Sequence, residues 1–286
     1  MMTCVLVTGA SGFIGKALLE SLKDNYELIG LSRHDPAVDA VTFVQGDFAS
    51  HSDLEQLDNV SIDAVVHLAA VTGGCDEGDG ITVNVEGTRR LMRYLIDKGC
   101  KKFVMASSTA VCGFEDPEFI PLTFPIADEH PCLDEHGYGV SKFLMEEMTK
   151  YYHRQNPMID VINLRLAAII SRDDFINMVT GEHKRSEWAL GSITLMQIED
   201  AIEVIRLAID AEPLPGVRIM NAVASSISAL LPTAELLRDW YGDAVDTSYY
   251  ESEDTRYASV FEAELVKDEF GFIAEETLNT LVALRG

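Results

Sequence analysis

The sequence predicts an α/β fold: a Rossmann-type doubly wound parallel sheet with a small C-terminal substrate lobe. Three observations carry this. Near-continuous apolar runs alternate with helix-period segments through the first two thirds of the chain, as in βαβ units whose strands are covered on both faces. A glycine-punctuated turn joins the first strand to the first helix. The alternation breaks after Ser171, where the smaller lobe is expected.

The first strand is Cys4–Thr8, followed at once by Gly9-Ala10-Ser11-Gly12-Phe13-Ile14-Gly15 and a helical pattern over Phe13–Lys23. Strand, glycine turn and helix together form the context of a dinucleotide site. Gly9 permits the tight turn, Gly12 lets backbone approach a pyrophosphate, and Gly15 lets the helix pack on the strand. The helix N-terminus offers unpaired N–H groups to phosphate. Ser11, Phe13 and Ile14 lie on the same turn and are assigned to the cofactor with the glycines.

The second strand, Glu27–Leu31, ends in Ser32-Arg33-His34-Asp35. An acid commonly stands there to bond a ribose 2′-hydroxyl. Here a hydroxyl and a guanidinium come first, which suits a 2′-phosphate, so NADP is preferred over NAD. Asp35 keeps NAD open. After the third strand, Val41–Val44, Asp47 is placed to accept from the adenine amino group with Phe48 alongside. The fourth strand, Ala64–Leu68, runs into Ala69-Ala70, and Leu68, Ala69 and Ala70 let backbone pass close to a ligand. A helix is expected over Thr82–Lys98.

The fifth strand, Phe103–Ala106, leads into Ser107-Ser108, and a long Pro- and acid-rich loop, Gly113–His136, precedes a helix over Tyr138–Gln155. Tyr138 and Lys142 stand four apart, on one helical face. A phenol with a pKa of about 10 is a poor base at neutral pH. A nearby ammonium and a cationic nicotinamide favour the phenolate. Ser108 can hold a substrate oxygen, Tyr138 exchange its proton and Lys142 reach the ribose, around hydride transfer at a nicotinamide. The remaining elements are strands Val161–Leu166 and Arg218–Asn221 and a helix over Asp200–Ala211. A dinucleotide-binding domain is expected over 1–170, joined by about 195–225, with a lobe from 171–194 and 226–286.

Composition narrows the partners. A net charge of −25 reads as a solubility adaptation of a high-salt or acid-rich proteome and excludes nucleic acid and anionic membranes. With no apolar run of membrane-spanning length and no secretory leader pattern, and five scattered cysteines without a Cys-x-x-Cys pair, the expected location is the cytoplasm, with no metal.

The ordered motifs resemble the extended short-chain dehydrogenase/reductases of the NAD-dependent epimerase/dehydratase family. The matching residues are Thr8 to Gly15, Asp47, His67 to Ala70, Asn84 with Gly87-Thr88, Ser107-Ser108, Tyr138 to Lys142, Gly216 to Asn221 and Phe270-Gly271-Phe272 with a helix after it. The resemblance implies a Ser108–Tyr138–Lys142 catalytic triad, Asn84 near the cofactor, and a homodimer through the helices after strands four and five. The apolar residues of those helices could equally face the sheet. The chain departs from the pattern in three places. Cys112 replaces a frequent tyrosine and reads as a small apolar residue. Thr109-Ala110 lacks the acids of a dehydratase. Leu166 to Ser171 lacks the Asn and Tyr-Gly-Pro turn that nucleotide-sugar members usually carry, and the lobe after it is short. A smaller polar substrate gains weight, and Arg172, Asp173-Asp174-Phe175 and Ser186-Glu187-Trp188 faintly resemble small uronate-type dehydrogenases.

The leading expectation is an NAD(P)-dependent oxidoreductase acting on a hydroxyl or carbonyl of a small polar or sugar-like substrate. A nucleotide-sugar epimerase with tightly held cofactor ranks second. A non-catalytic NADP-sensing protein ranks last, because such relatives typically lose the tyrosine.

Overall fold

Seven parallel strands form the main sheet in a computed structural model that describes residues 2–113, 115–116, 118–179 and 189–274. They are β1 (Cys4–Thr8), β2 (Glu27–Ser32), β3 (Thr42–Gln45), β4 (Ala64–His67), β5 (Lys102–Ser108), β6 (Asp160–Leu166) and, after the short strands β7 (Ala168–Ile170) and β8 (Leu195–Gln197), β9 (Gly216–Ala222). Their order is 3-2-1-4-5-6-9. β1 pairs with β2 through Val5↔Leu28 and with β4 through Val5↔Ala64. The winding therefore reverses beside β1, and a crevice opens at the C-terminal ends of β1 and β4, where ligands of such sheets bind.

The helices are α1 (Phe13–Leu22), α2 (His51–Leu54), α3 (Glu77–Asp79), α4 (Thr88–Asp97), α5 (Gly137–Gln155), α6 (Arg172–Val179), α7 (Ala189–Ile193), α8 (Ile198–Asp210), α9 (Thr233–Tyr241) and α10 (Glu264–Phe270). Alternation along β1 sends Val5 and Val7 to one face and Leu6 to the other. Leu18, Leu19 and Leu22 of α1 and Val204 and Ala208 of α8 cover the first face. Leu91, Met92 and Leu95 of α4 and Met145 and Tyr152 of α5 cover the second. Burying each Leu there is worth about 1.5–3 kcal/mol. The apolar side of α4 thus faces the sheet.

The expected sheet and its principal helices are present, with three differences. The helix expected over Thr82–Lys98 opens as a π-helical stretch, Gly80–Gly87, before α4. Gly80 packs on the Gly137 carbonyl, and the buried Asn84 in the widened turn bonds Val71 at both its N–H and C=O (2.8 and 3.0 Å) and the Ser141 hydroxyl (2.9 Å). β7 and β8 form a separate two-stranded sheet through Ile169↔Met196, a pairing that two three-residue segments do not announce. Phe270 and Gly271 close α10, which the sequence reading did not include, and the helix expected after Phe272, like Ser186-Glu187-Trp188, falls outside the described residues. Among the described residues no helix is long and apolar enough to cross a membrane.

The long loop is strapped over the sheet's C-terminal edge. Ile126 N–H donates to Val260 (2.8 Å), and Arg165 donates to the Asp128 carbonyl (2.9 Å). The Asp128 carboxylate accepts from the Asn221 N–H of β9. These bonds set the loop as one wall of the crevice.

Candidate active site

A cavity of about 840 Å³ runs along this edge. At one end is the glycine turn. Gly9 sits at φ +71°, and a Cβ there would lie 2.8 Å from Ala69 N. A Cβ on Gly15 would collide with the Gly9 carbonyl oxygen. The turn is therefore closed on its inner side by backbone. α1 starts at Gly12 with no side-chain cap and no acid in its first turn, so its leading N–H groups face the cavity without an internal acceptor. This cradle fits a pyrophosphate by backbone donors and helix dipole. We expect Gly15→Ala to lower stability by about 1–3 kcal/mol, through overpacking, and to weaken dinucleotide binding. Urea unfolding and cofactor-fluorescence titration would check both.

Ser11, Gly12, Phe13, Ile14, Ser32, Arg33, Asp47, Phe48, Leu68, Ala69 and Ala70 all line the same cavity. The Ser32 hydroxyl donates to the His34 carbonyl (2.7 Å) and Arg33 is exposed. The Asp35 carboxylate accepts from Ala37 N–H (2.7 Å) and does not line the cavity. The Asp47 carboxylate accepts from Ala49 N–H (2.8 Å), while Phe48 is buried edge-on to His67, ring centroids 5.0 Å apart. His67 is held between the Thr8 and Thr88 hydroxyls (2.7 and 2.9 Å), and burial pulls its pKa down to about 3, so a neutral ring braces β4 behind the site. Asn84 is fully buried on the π-helical stretch that follows β4. It lies behind the cavity wall and fixes the 71–73 loop rather than facing the cavity.

At the other end stand Ser108, Tyr138 and Lys142, all lining the cavity. Ser108 ends β5 and its Oγ accepts from Ala110 N–H (3.1 Å). Lys142 is buried, its ammonium donates to the Ala106 carbonyl (2.7 Å), and Nζ lies 5.7 Å from the Tyr138 ring centre. Burial raises Tyr138 to about 12, a hydrogen bond from Ser108 opposes the rise, and Glu115 and Cys75 add to it. Lys142 falls to about 8 through burial, with Glu146 pulling upward. Burial, Ser108, Glu115 and Cys75 set the Tyr138 pKa in the protein alone, while the Lys142 ammonium is engaged by the Ala106 carbonyl. The three groups can bind an oxygen and deliver a proton to it.

Behind them lies a buried ion pair. Arg165 Nε and Nη2 donate to the two Glu146 carboxylate oxygens (2.9 and 2.8 Å), and the Ser107 hydroxyl donates to the same carboxylate (2.6 Å). This ties α5 to β5 and β6. Cys112 is fully buried and its thiol is pushed up to about 12 by burial, so it serves as the small apolar residue expected. Sequence reasoning missed Glu115, which lines the cavity near Tyr138. No spacing marks it within the acidic loop.

A model of the NAD dependent epimerase/dehydratase family matches residues 5–212. The chain belongs to that family. Among curated relatives, a UDP-glucose 4-epimerase of Vibrio cholerae is 29% identical over 84% of this chain and 75% of its own length. An NAD-dependent glucose-6-phosphate dehydrogenase of Haloferax volcanii is 28% identical over 73% and 80%. Of UDP-glucose 4-epimerase 2 from Arabidopsis thaliana the chain spans about half, 51%, at 27% identity. A crystal structure of a short-chain dehydrogenase/reductase superfamily protein from Agrobacterium tumefaciens with bound NAD covers 98% of this chain and 95% of its own, with TM-score 0.71 and 21% identity. This family member is an NAD-dependent enzyme of the extended short-chain dehydrogenase/reductase type.

Proposed function

We propose that this enzyme is an NAD(P)-dependent oxidoreductase that moves hydride to or from a hydroxyl or carbonyl carbon of a small polar, sugar-like substrate. One observation carries the reading: Ser108, Tyr138 and Lys142 share one cavity with the glycine cradle. When bound, the nicotinamide supplies hydride exchange and, when oxidised, a positive charge. Ser108 would hold the substrate oxygen, Tyr138 would hold or release the proton at that oxygen, and Lys142 would bond the ribose hydroxyls. Residues 1–170 with about 195–225 would hold the cofactor, and 171–194 with 226–286 the substrate.

The substrate end favours a small partner without a diphosphate. Beyond Tyr138 the wall is Leu166, Ala167, Ala168 and Ile169, and among the described lining residues the lysine and arginine side chains are Lys142 and Arg33 alone. Arg33 stands at the cofactor end, so among the described lining residues Lys142 is the lysine or arginine near Tyr138. The test is to add NADP or NAD and a panel of free sugars and sugar acids to the purified enzyme and follow reduced cofactor by absorbance. Net reduction supports the reading. Failure to consume cofactor, together with dinucleotide retained through purification, would favour the second reading, a nucleotide-sugar epimerase, to which the similarity to UDP-glucose 4-epimerases lends weight.

For the cofactor, the proposal prefers NADP. Arg33 is exposed on the cavity wall, and the Asp35 carboxylate is engaged by Ala37 away from it. Arg33→Ala is expected to weaken NADP binding roughly tenfold to a hundredfold, the worth of charged hydrogen bonds, and to leave NAD nearly unchanged in parallel titrations. Equal losses would place Arg33 outside the site. A homodimer and a cytoplasmic location complete the proposal.

A further inference from the structure

The loop facing Tyr138 carries a cluster that the proton chemistry above does not use. Glu115, Asp134 and His136 bring one ligand atom each to within 4.8 Å of one another. Glu115 lines the cavity, and His136, half exposed, opens to solvent just before α5. The Asp134 side chain is wholly buried, and its two oxygens differ. Oδ2 accepts the His136 backbone N–H (3.0 Å), while Oδ1 has no hydrogen-bond partner and points at His136 Nδ1, 3.8 Å away. Glu115 Oε2 is likewise buried without a partner. Leaving such an oxygen unsatisfied costs about 1–3 kcal/mol, more when charged. The three side chains thus bring their ligand atoms together, and two of them carry a buried carboxylate oxygen without a hydrogen-bond partner.

We propose that Glu115, Asp134 and His136 form a binding site for one divalent cation of the zinc or manganese class at the rim of the active-site cavity.

The size agrees. With no side above 4.8 Å, an ion centred among the three atoms lies no more than about 2.8 Å from each. Zinc bonds to carboxylate and imidazole are roughly 2.0–2.2 Å, so an inward shift of each ligand atom by at most about 0.6–0.8 Å closes the site. The imidazole selects against magnesium and calcium, which take oxygen ligands. Burial raises the pKa of both carboxyl groups, and the Asp134 charge adds to the rise at Glu115; a nearby cation would act in the opposite direction. Solvent-facing His136 leaves an entry path and room for water as a further ligand. A cation there would pin the long loop to the start of α5 and place positive charge near Tyr138, where Glu115 now acts against ionisation. The site does not depend on which reaction the enzyme performs.

The test uses the full chain, stripped with a chelator and titrated with Mn²⁺ while the free-ion paramagnetic resonance signal is recorded, then with Zn²⁺ as competitor. A single saturable site displaced by Zn²⁺ is expected. Asp134→Asn and Glu115→Gln should each weaken it roughly tenfold or more, as loss of metal-site groups does. Asp134→Asn, which lies outside the cavity lining, should keep the cofactor titration of the parent. If Asp134→Asn fails to fold, His136→Ala, at a half-exposed position, serves in its place. Zn²⁺ should raise the melting temperature of the parent and of neither variant, since binding to the folded state stabilises it. Uptake that does not saturate, or that is unchanged in the variants, overturns the site and assigns the metal to exposed carboxylates.

Discussion

Tyr138→Phe is expected to lower kcat by roughly 10²–10⁴-fold, the contribution of a positioned proton donor, while dinucleotide affinity stays within about twofold. The ring sits against the cavity and only its hydroxyl is removed, so packing is kept. Single-turnover absorbance would give the rate and cofactor fluorescence the affinity. Unchanged turnover would remove Tyr138 from the chemistry and with it the Ser108–Tyr138–Lys142 assignment. The pH dependence adds a direction. Burial holds the phenol protonated up to about 12 in the protein alone. A neutral phenol donates a proton, so carbonyl reduction should run at neutral pH. Oxidation needs the phenolate, so its rate should climb with pH. Lys142, drawn down to about 8 by burial, loses its charge along the same climb, which should flatten the rise above that value.

Much of this arrangement was legible before any coordinates, and the reason is chemical. Gly9, Gly12 and Gly15 occupy positions where a side chain would strike backbone or bar a phosphate, so residue type alone marks them. The central strands are covered on both faces and so read as unbroken apolar runs. What escaped is set by contacts between distant segments. The resemblance implied Asn84 near the cofactor, but gave no sign that its amide bonds Val71 and Ser141. Only the π-helical opening before α4 brings those partners within reach. Glu115 is one acid among many in its loop, and no periodicity shows that it turns inward. The strong effect of burial on both Tyr138 and Lys142 also escaped. Spacing puts them on one helical face but says nothing of the Ala106 carbonyl that takes the ammonium.

The other large effect lies away from the reacting groups. Arg165 and Glu146 are 5% and 1% exposed, and every charged contact between them is dry. Arg165→Ala leaves the Glu146 carboxylate buried with only the Ser107 hydroxyl beside it, and frees the Asp128 carbonyl that anchors the long loop. Removing one partner of a buried pair costs about 3–5 kcal/mol, and urea unfolding should show a loss of that size. Replacing both by apolar residues of similar volume, Arg165→Met with Glu146→Leu, should recover most of it, because the penalty comes from the stranded charge more than from the lost attraction. A single-variant loss below about 1 kcal/mol would mean that water reaches Glu146. The double variant also separates two roles of the pair. If it regains stability but turnover stays low, the pair's work is to hold α5 in register with β5, and so Tyr138 against Ser108. If turnover returns with stability, the pair only offsets its own burial.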